Sequence, residues 1–596
     1  MSTAAHARGM HSSFLPALFV TAFFILEVNA YRGNVCCRQA ARLPEKRMLF
    51  NGSEPWKACS LNSTDQYPEG TTFPSVNHTM AWCQKTCPGI QTSELKQWLQ
   101  PLATWFAPYV ALLLLCPIGG SVLGKEGEDQ GHDSSFLRTS RPRPGLLRRA
   151  SRHVFLMFRD ISEFLLHQIK DKVPEYGSIL GDPSSALAGT FFEIHADLVG
   201  TTEKGTKIIE DAVSTKDTQR DDLQQRHIRQ MIVLVGDLNH HDSLSSLNPP
   251  TKDTVDDVKK RLFDAKDNQI ETAMAILVAA RLNFFNGVFM PVILTLAVVA
   301  SVFYEAYTKL GDNDTAHGLA FGVWFSWLLV LAVASNCFAC SLNGGVVRAT
   351  LTPFMGLSES RVPLRERFIN SKLWLHWMEP SNVSALVNVE STLILPTSTW
   401  AKFLVGQLLG WALVALTTAS AAAISYTTPT VGLGCRSFTF LLWGILALAT
   451  AIVRVGANWA ELQHKLSQRS VVGTALIWIY WVLTTINALV LFIGTILHLA
   501  GVFRSCRCKR LFVGGLFQVE LNSNTVLAVE NAKKIWLPVG YMAFGVIWIV
   551  CGLVIAARKW ITAHMEKWAV EDRQSKGHTR SSDPPVDVEI VSPDKG

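Results

Sequence analysis

The stretch LGDNDTAHGLAFGVWFSWLLVLAVASNCFACSL, residues 310–342, decides the fold of this chain. A polar turn from Gly311 to Thr315 leads into an apolar run that carries no formal charge after Asp314. Such a run is long enough to cross a bilayer core of about 30 Å as a single helix. Because Asn313-Asp314-Thr315 is an N-glycosylation motif, we expect this turn on the outer face of a membrane, which orients every other span.

Composition indicates a multi-pass membrane protein. Of the 596 residues, 48% are hydrophobic and 17% are charged, whereas soluble domains average about 25% charged residues. The deficit comes from separate charge-poor blocks along the chain. The net charge of +7 lies largely beside these blocks, a distribution that sets membrane orientation and predicts no nucleic-acid partner.

The N-terminal residues 1–30 predict a signal peptide, with an apolar core from Phe14 to Leu26 and a small-residue cleavage site at Ala30. The alternative is an uncleaved membrane anchor. Residues 31–101 would then be extracellular, with glycosylation motifs at Asn51, Asn62 and Asn77. Five cysteines among these motifs indicate disulfide bonds: Cys36, Cys37, Cys59, Cys83 and Cys87.

A metal site at Cys83 and Cys87 is the rival interpretation of these cysteines. Zinc sites use paired motifs, and the sequence has no evident second half for this one. We therefore predict disulfides and no metal ligands. Since five is an odd number, one cysteine must pair outside the segment or stay free.

Charge-poor blocks predict an all-α polytopic membrane protein with seven transmembrane helices, at residues 102–123, 282–305, 318–342, 402–425, 438–459, 471–502 and 535–557. The intervening segments are predicted as a cytosolic helical block at 124–281, a cytosolic loop at 343–400 and an extracellular loop at 503–534. The polar tail at 558–596 is expected to be disordered and cytosolic.

A run of arginines follows the first predicted span and marks its cytosolic side: Arg138, Arg141, Arg143, Arg148, Arg149 and Arg152. An amphipathic helix is predicted directly behind it, over residues 151–172. One interpretation packs this helix into the cytosolic block. The other lays it on anionic lipids of the inner leaflet, with the residues from Arg138 to Arg152 as the lipid contact.

The predicted extracellular loop at 503–534 conflicts with the positive-inside rule, since basic residues cluster between Arg504 and Arg510. A cytosolic loop would make Cys506 and Cys508 palmitoylation sites. An outer loop would bring these two and Cys435 into an oxidising compartment and raise the cysteine count there to eight. In that arrangement we expect partners at Cys435 and in the 36–87 segment.

Few polar groups fall within the predicted spans. Arg454 and His498 lie near span ends, where their side chains can reach the interface. Gln407, Asn336 and Asn487 are expected to hydrogen-bond between helices. Asp312, Asp314 and His317 allow a cation site at an outer mouth, although Asp314 or Thr315 capping the third span is the plainer interpretation. No Walker A, HExxH or GxSxG motif occurs, so we predict no catalytic or cofactor-binding residues and no enzyme.

The block LGDNDTAHGLAFGVWFSW and the Gly181-Asp182-Pro183 turn resemble an uncharacterised family of multi-pass membrane proteins of filamentous fungi that has no assigned activity. The resemblance implies a cell-surface or endomembrane location. The sequence leads us to expect a plasma-membrane sensor or structural protein with unknown protein partners, its N-terminus extracellular and its C-terminus cytosolic. The alternative is a transporter or channel for a small solute.

Overall fold

A computed structural model describes residues 33–43, 59, 72–87, 107–116, 176–200, 269, 272–273, 276, 289–338, 397–465 and 471–580. These residues are mostly helical, as predicted. The predicted signal peptide, Asn51, Asn62 and the arginines from Arg138 to Arg152 lie outside them.

The helices in chain order are α1 (Gly33–Ala41), α2 (Met80–Thr86), α3 (Ala107–Leu115), α4 (Pro183–Gly200), α5 (Met290–Thr308), α6 (Asn313–Phe325), α7 (Trp327–Phe338), α8 (Thr397–Thr427), α9 (Cys435–Lys465), α10 (Val471–Leu499), α11 (Cys506–Lys509), α12 (Val526–Asn531) and α13 (Leu537–Arg580). A 3-10 turn at Val502–Arg504 precedes α11, and a π-helical turn at Ala532–Trp536 joins α12 to α13. Two short strands, β1 (Asn77–Thr79) and β2 (Gln518–Glu520), pair antiparallel.

Five helical stretches among the described residues are long and apolar enough to cross a membrane: Asn313–Cys337, Leu404–Thr427, Cys435–Ala457, Val471–Leu499 and Val526–Ile561. They correspond to the third to seventh predicted spans and fit an integral membrane protein. The first and second predicted spans are described only in part, by α3 and by the apolar stretch Val292–Thr308. A count of seven spans remains a prediction. Helix α13 continues to Arg580, so residues 558–580 of the tail that was expected to be disordered are helical.

The apolar stretch that follows Gly311 forms the centre of the bundle. Helices α6 and α7 run almost in line and are nearly wholly buried. Ser326 separates the two helices, and its hydroxyl donates to the carbonyl of Val323 at 2.7 Å. A helix that is apolar on all sides needs neighbours all round. The rings of Trp324 and Trp327 accordingly pack on Trp443 of α9, with centroids 5.5 and 6.1 Å away.

Helix α4 lies inside the bundle, although its sequence falls in the block predicted as cytosolic, 124–281. It packs against α7 and α8. Small residues allow the approach: a Cβ at Gly410 of α8 would collide with the carbonyl oxygen of Ser184. Residues 176–200 therefore belong with the spans, and the predicted block is not one separate cytosolic unit.

One end of the bundle carries all the described residues of the N-terminal segment, which we call the N-terminal cap (33–43, 59 and 72–87). Its backbone amide at Phe73 donates to Asn524 at 2.9 Å, and Asn524 in turn donates to Gly311 at 2.8 Å. The loop after α10 is thus on the same side as the cap and as the turn before α6. This capped end contains the basic stretch that conflicts with the positive-inside rule.

Candidate functional site

The eight predicted disulfide cysteines meet at the capped end in four pairs at disulfide distance. Cys36 faces Cys87 and Cys37 faces Cys59, with Cα separations of 5.6 and 5.5 Å. Cys83 faces Cys506 across 6.0 Å, and Cys435 faces Cys508 across 4.8 Å. These separations suit disulfides. The last two pairs attach the cap to the loop after α10 and that loop to the start of α9.

The cap has a small apolar core, which explains why it needs these links. Its buried members include Val76, Met80, Val519 and Leu521, together with cysteines from both chain segments. So little apolar area rarely holds a fold by itself. The strands β1 and β2 add a short ladder in which His78 is opposite Val519.

Three sulfurs of this core, those of Cys36, Cys83 and Cys506, lie within 4.8 Å of one another and could hold a metal in thiolate form. Pairing as disulfides consumes the same sulfurs, since metal ligation requires the deprotonated thiol. In an oxidising compartment the disulfide form is the one that the cysteine chemistry favours.

The structure separates two glycosylation motifs of the capped end. Asn77 is partly exposed on β1, and its side-chain oxygen accepts from the Ser75 hydroxyl at 2.6 Å. Asn313 is only 7% exposed, and its amide nitrogen donates to the Asn522 carbonyl at 3.4 Å. A glycan on Asn313 does not fit this packing, whereas Asn77 has a surface open to one.

The N-cap residue of helix α6 is Asp312. The prediction that Asp314 or Thr315 caps this helix was therefore wrong by two or three positions. The Asp312 carboxylate accepts from the Thr315 amide at 2.9 Å and from the Thr315 hydroxyl at 2.7 Å. Burial and the nearby Asp314 carboxylate raise the pKa of Asp312. Asp314 instead forms an ion pair with Arg504 at 3.4 Å.

A second group of polar residues lies within the bundle, which we call the internal polar cluster (Asp182, Arg454 and Tyr480). The Tyr480 hydroxyl donates to the Asp182 carboxylate at 3.3 Å. The Arg454 guanidinium stacks over the Tyr480 ring, 4.1 Å from its centroid, and is within electrostatic range of Asp182. Arg454 and Asp182 are each 3% exposed. Arg454 is therefore packed into the bundle, and the expectation that it would reach the interface was wrong.

Local sequence explains how Asp182 reaches this position. Pro183 begins α4 and interrupts the helical segment at 176–181, because proline has no amide hydrogen to donate. The Asp182 carboxylate then accepts from the Ser185 amide at 3.2 Å. Gly181 lies so close to α10 that an added Cβ would collide with the Thr484 carbonyl.

One of the predicted interhelical polar residues completes the contact. The Asn487 amide donates to the Gly181 carbonyl at 2.9 Å, which ties α10 to the helix break. Asn336 behaves differently, because its side-chain amide donates to Ala332 of its own helix at 2.8 Å. The sequence had marked Gly181-Asp182-Pro183 only as part of a resemblance, since a single Asp in a segment of moderate polarity gives no signal of burial.

Chemically, the internal polar cluster combines a carboxylate, a phenol and a guanidinium at a helix break. Ionisable groups within a membrane bundle are costly, so they face the protein interior and pair with one another. Broken helices at membrane depth are also where transporters place their binding sites. Alternatively, the same three side chains can have a purely structural role, with the buried Asp182 and Arg454 charges compensating each other.

No protein-family model, curated protein or solved structure matches this chain. The resemblance to the fungal membrane proteins thus stays an expectation.

Proposed function

We propose that this chain is a plasma-membrane sensor or interaction protein that reaches its location through the secretory pathway. In this proposal the capped end is extracellular and the C-terminal end of α13 is cytosolic. The observation that carries the proposal is the Cys83–Cys506 pair, because it fixes the cap to the loop that leads into the last helix. An outer module that only tethers a ligand has no need of such an attachment.

Two routes connect the cap with the bundle. The loop that holds Cys506 continues through β2 and α12 into α13. The turn at Gly311 receives the Asn524 amide and leads directly into the central helix α6. A partner that displaces the cap would therefore act on α6 and α13 together, and α13 extends to Arg580. Coupling of this kind requires a demonstrated response at the far element.

Hydrogen–deuterium exchange of the full-length protein in detergent tests the proposal. We expect Cys83→Ser with Cys506→Ser to speed amide exchange in α6 and in residues 526–561. The matched control is Cys37→Ser with Cys59→Ser, which removes a pair inside the cap and leaves its attachment intact. Unchanged exchange in both helices after detachment would show that the cap is an independent module and would defeat the sensor proposal.

The second candidate function is a transporter or channel for a small solute, and the internal polar cluster favours it. Asp182 lies at a proline-interrupted helix among α10 and α9 side chains, the arrangement expected of a substrate or ion site. Transport requires water to reach that site from one side at a time.

Thiol labelling distinguishes the two functions. Ser185→Cys places a thiol beside Asp182, where the native serine is buried. We expect an impermeant thiol reagent to label it in membranes if the protein transports a solute. Cys337 and Cys551 are buried, belong to none of the four disulfide pairs and provide internal controls. Labelling of Ser185→Cys at the level of these controls favours the sensor.

A further inference from the structure

Basic side chains from three separate stretches converge at the capped end, beside the first turn of α6. They are Arg436 at the start of α9, Arg504 in the 3-10 turn and Lys509 at the end of α11. All three are within electrostatic range of the Asp314 carboxylate, and Arg504 contacts it at 3.4 Å. We call these three side chains the outer basic site.

The described residues do not balance this charge. Only Asp314 and Glu520 among them are carboxylates within electrostatic range of Lys509, while Arg436 and Arg504 both repel it. The neighbouring His498 imidazole carries no negative charge and so cannot compensate these cations. It stacks on the Phe321 ring at 4.5 Å and is within electrostatic range of both guanidiniums. Three cations thus share two carboxylates.

Hydrogen bonding at the site is also incomplete. Arg436 is only 5% exposed. Among the residues that the structure describes, its Nε has no hydrogen-bond partner, and the same holds for the Nε of Arg504 and the Nδ1 of His498. A buried cation without full pairing is costly, so buried charges are normally satisfied by counter-charges or bound ions. An anion bound among these cations would accept hydrogen bonds from the unpaired Nε donors of Arg436 and Arg504.

The framework of the site is fixed before any ligand binds. Cys435 precedes Arg436 and Cys508 precedes Lys509, so the Cys435–Cys508 pair holds the two cations on neighbouring segments of the polypeptide. The two segments touch at Gly434, where an added Cβ would meet the Cys508 carbonyl oxygen at 2.8 Å. Burial, and after it the adjacent guanidiniums, lower the pKa of Lys509 to about 8.

We propose that the outer basic site binds a phosphate-like oxyanion, held by the guanidiniums of Arg436 and Arg504 and the ammonium of Lys509. Guanidinium groups offer paired donors that match tetrahedral oxyanions, and ammonium adds a point charge. The anion has two sources, free inorganic phosphate or the phosphate of an anionic phospholipid headgroup. The second is reasonable because the site lies at the ends of α9 and α10, where lipid headgroups lie beside spans.

Thermal unfolding of the full-length protein in uncharged detergent is the first test, with sodium phosphate compared with sodium chloride at equal ionic strength. We expect a saturable rise in Tm with phosphate alone. Arg436→Gln and Lys509→Gln should each raise the half-saturating phosphate concentration about tenfold or more. The matched control is Arg507→Gln, which removes an exposed cation from α11, the helix that contains Lys509. This variant should behave as wild type.

Lipid nanodiscs distinguish the two sources. If free phosphate is the ligand, it should raise Tm equally in neutral and in anionic nanodiscs. If a headgroup is the ligand, anionic lipid should stabilise wild type but not Lys509→Gln, and phosphate should add nothing further. The proposal is overturned if neither phosphate nor anionic lipid raises Tm above the chloride control, or if Lys509→Gln responds like Arg507→Gln. Lys509 is partly exposed, so its variant carries the test if Arg436→Gln does not fold.

Discussion

The N-terminal cap and the membrane bundle are held together by opposite means. The cap has a small core in which five of the eleven buried residues are cysteines. The bundle has a continuous aliphatic and aromatic core around α6 and α7, and it tolerates the buried charges of the internal polar cluster. The cap should therefore respond to changes in covalent attachment, and the bundle to changes in charge compensation.

The largest expected effect follows from removing charge compensation in the bundle. Arg454→Met would leave the Asp182 carboxylate without its nearby cation in a buried setting. Removing one partner of a buried pair typically costs about 3–5 kcal/mol of unfolding free energy. The measurement is unfolding of the purified protein in mixed micelles under increasing denaturant.

Two further variants sharpen that result. Tyr480→Phe removes only the hydroxyl that donates to Asp182 and should cost about 1 kcal/mol. Arg454→Met combined with Asp182→Asn should recover much of the loss, since no uncompensated charge remains. Strictly additive losses in the double variant would mean that the two side chains do not interact.

In the cap, the largest effect should come from detachment. Cys83→Ser with Cys506→Ser opens a link between positions 423 residues apart, whereas Cys37→Ser with Cys59→Ser opens one of 22 residues. Loss of a native disulfide costs about 2–4 kcal/mol, and more for longer loops on the chain-entropy model. We expect the first pair to lower the Tm of the cap more than the second, as measured by limited proteolysis at rising temperature. Equal losses would contradict the idea that attachment stabilises the cap.

The two regions also differed in how far the sequence predicted them. Cysteine count and compartment predicted that Cys506 and Cys508 would find distant partners, because disulfide chemistry depends on few residues. The position of α4 was not predicted, since Glu193, His195 and Asp197 interrupt the apolar run that a span would show. At the helix break before α4, the Asp182 carboxylate accepts from the Tyr480 hydroxyl and the Gly181 carbonyl accepts from the Asn487 amide, and no local pattern shows these distant partners.

The contact between the cap and the bundle should be sensitive to substitution of Gly311. Its φ of +86° lies in the left-handed region that favours glycine, and an added Cβ would approach the Val529 side chain at 2.7 Å. Gly311→Ala should therefore cost about 1–3 kcal/mol of unfolding free energy. The control is Gly545→Ala in α13, which has open space around it and should be neutral or slightly stabilising. If both substitutions are neutral, the turn does not join the two regions tightly.

The smallest expected effect is a pH dependence at the capped end, where covalent attachment and buried charge meet. The pKa of Lys509 is lowered from its ordinary 10.5 to about 8. Between these values the unfolded chain binds more protons than the folded one, so stability should rise as pH increases from about 8 to about 10.5. Solvent screening keeps the gain below about 1 kcal/mol. Comparison of wild type with Lys509→Gln by thermal unfolding across this range isolates the contribution, which the variant should lack. Phosphate in the outer basic site would favour charged Lys509 and flatten the rise, whereas a slope unaffected by phosphate would place the anion elsewhere.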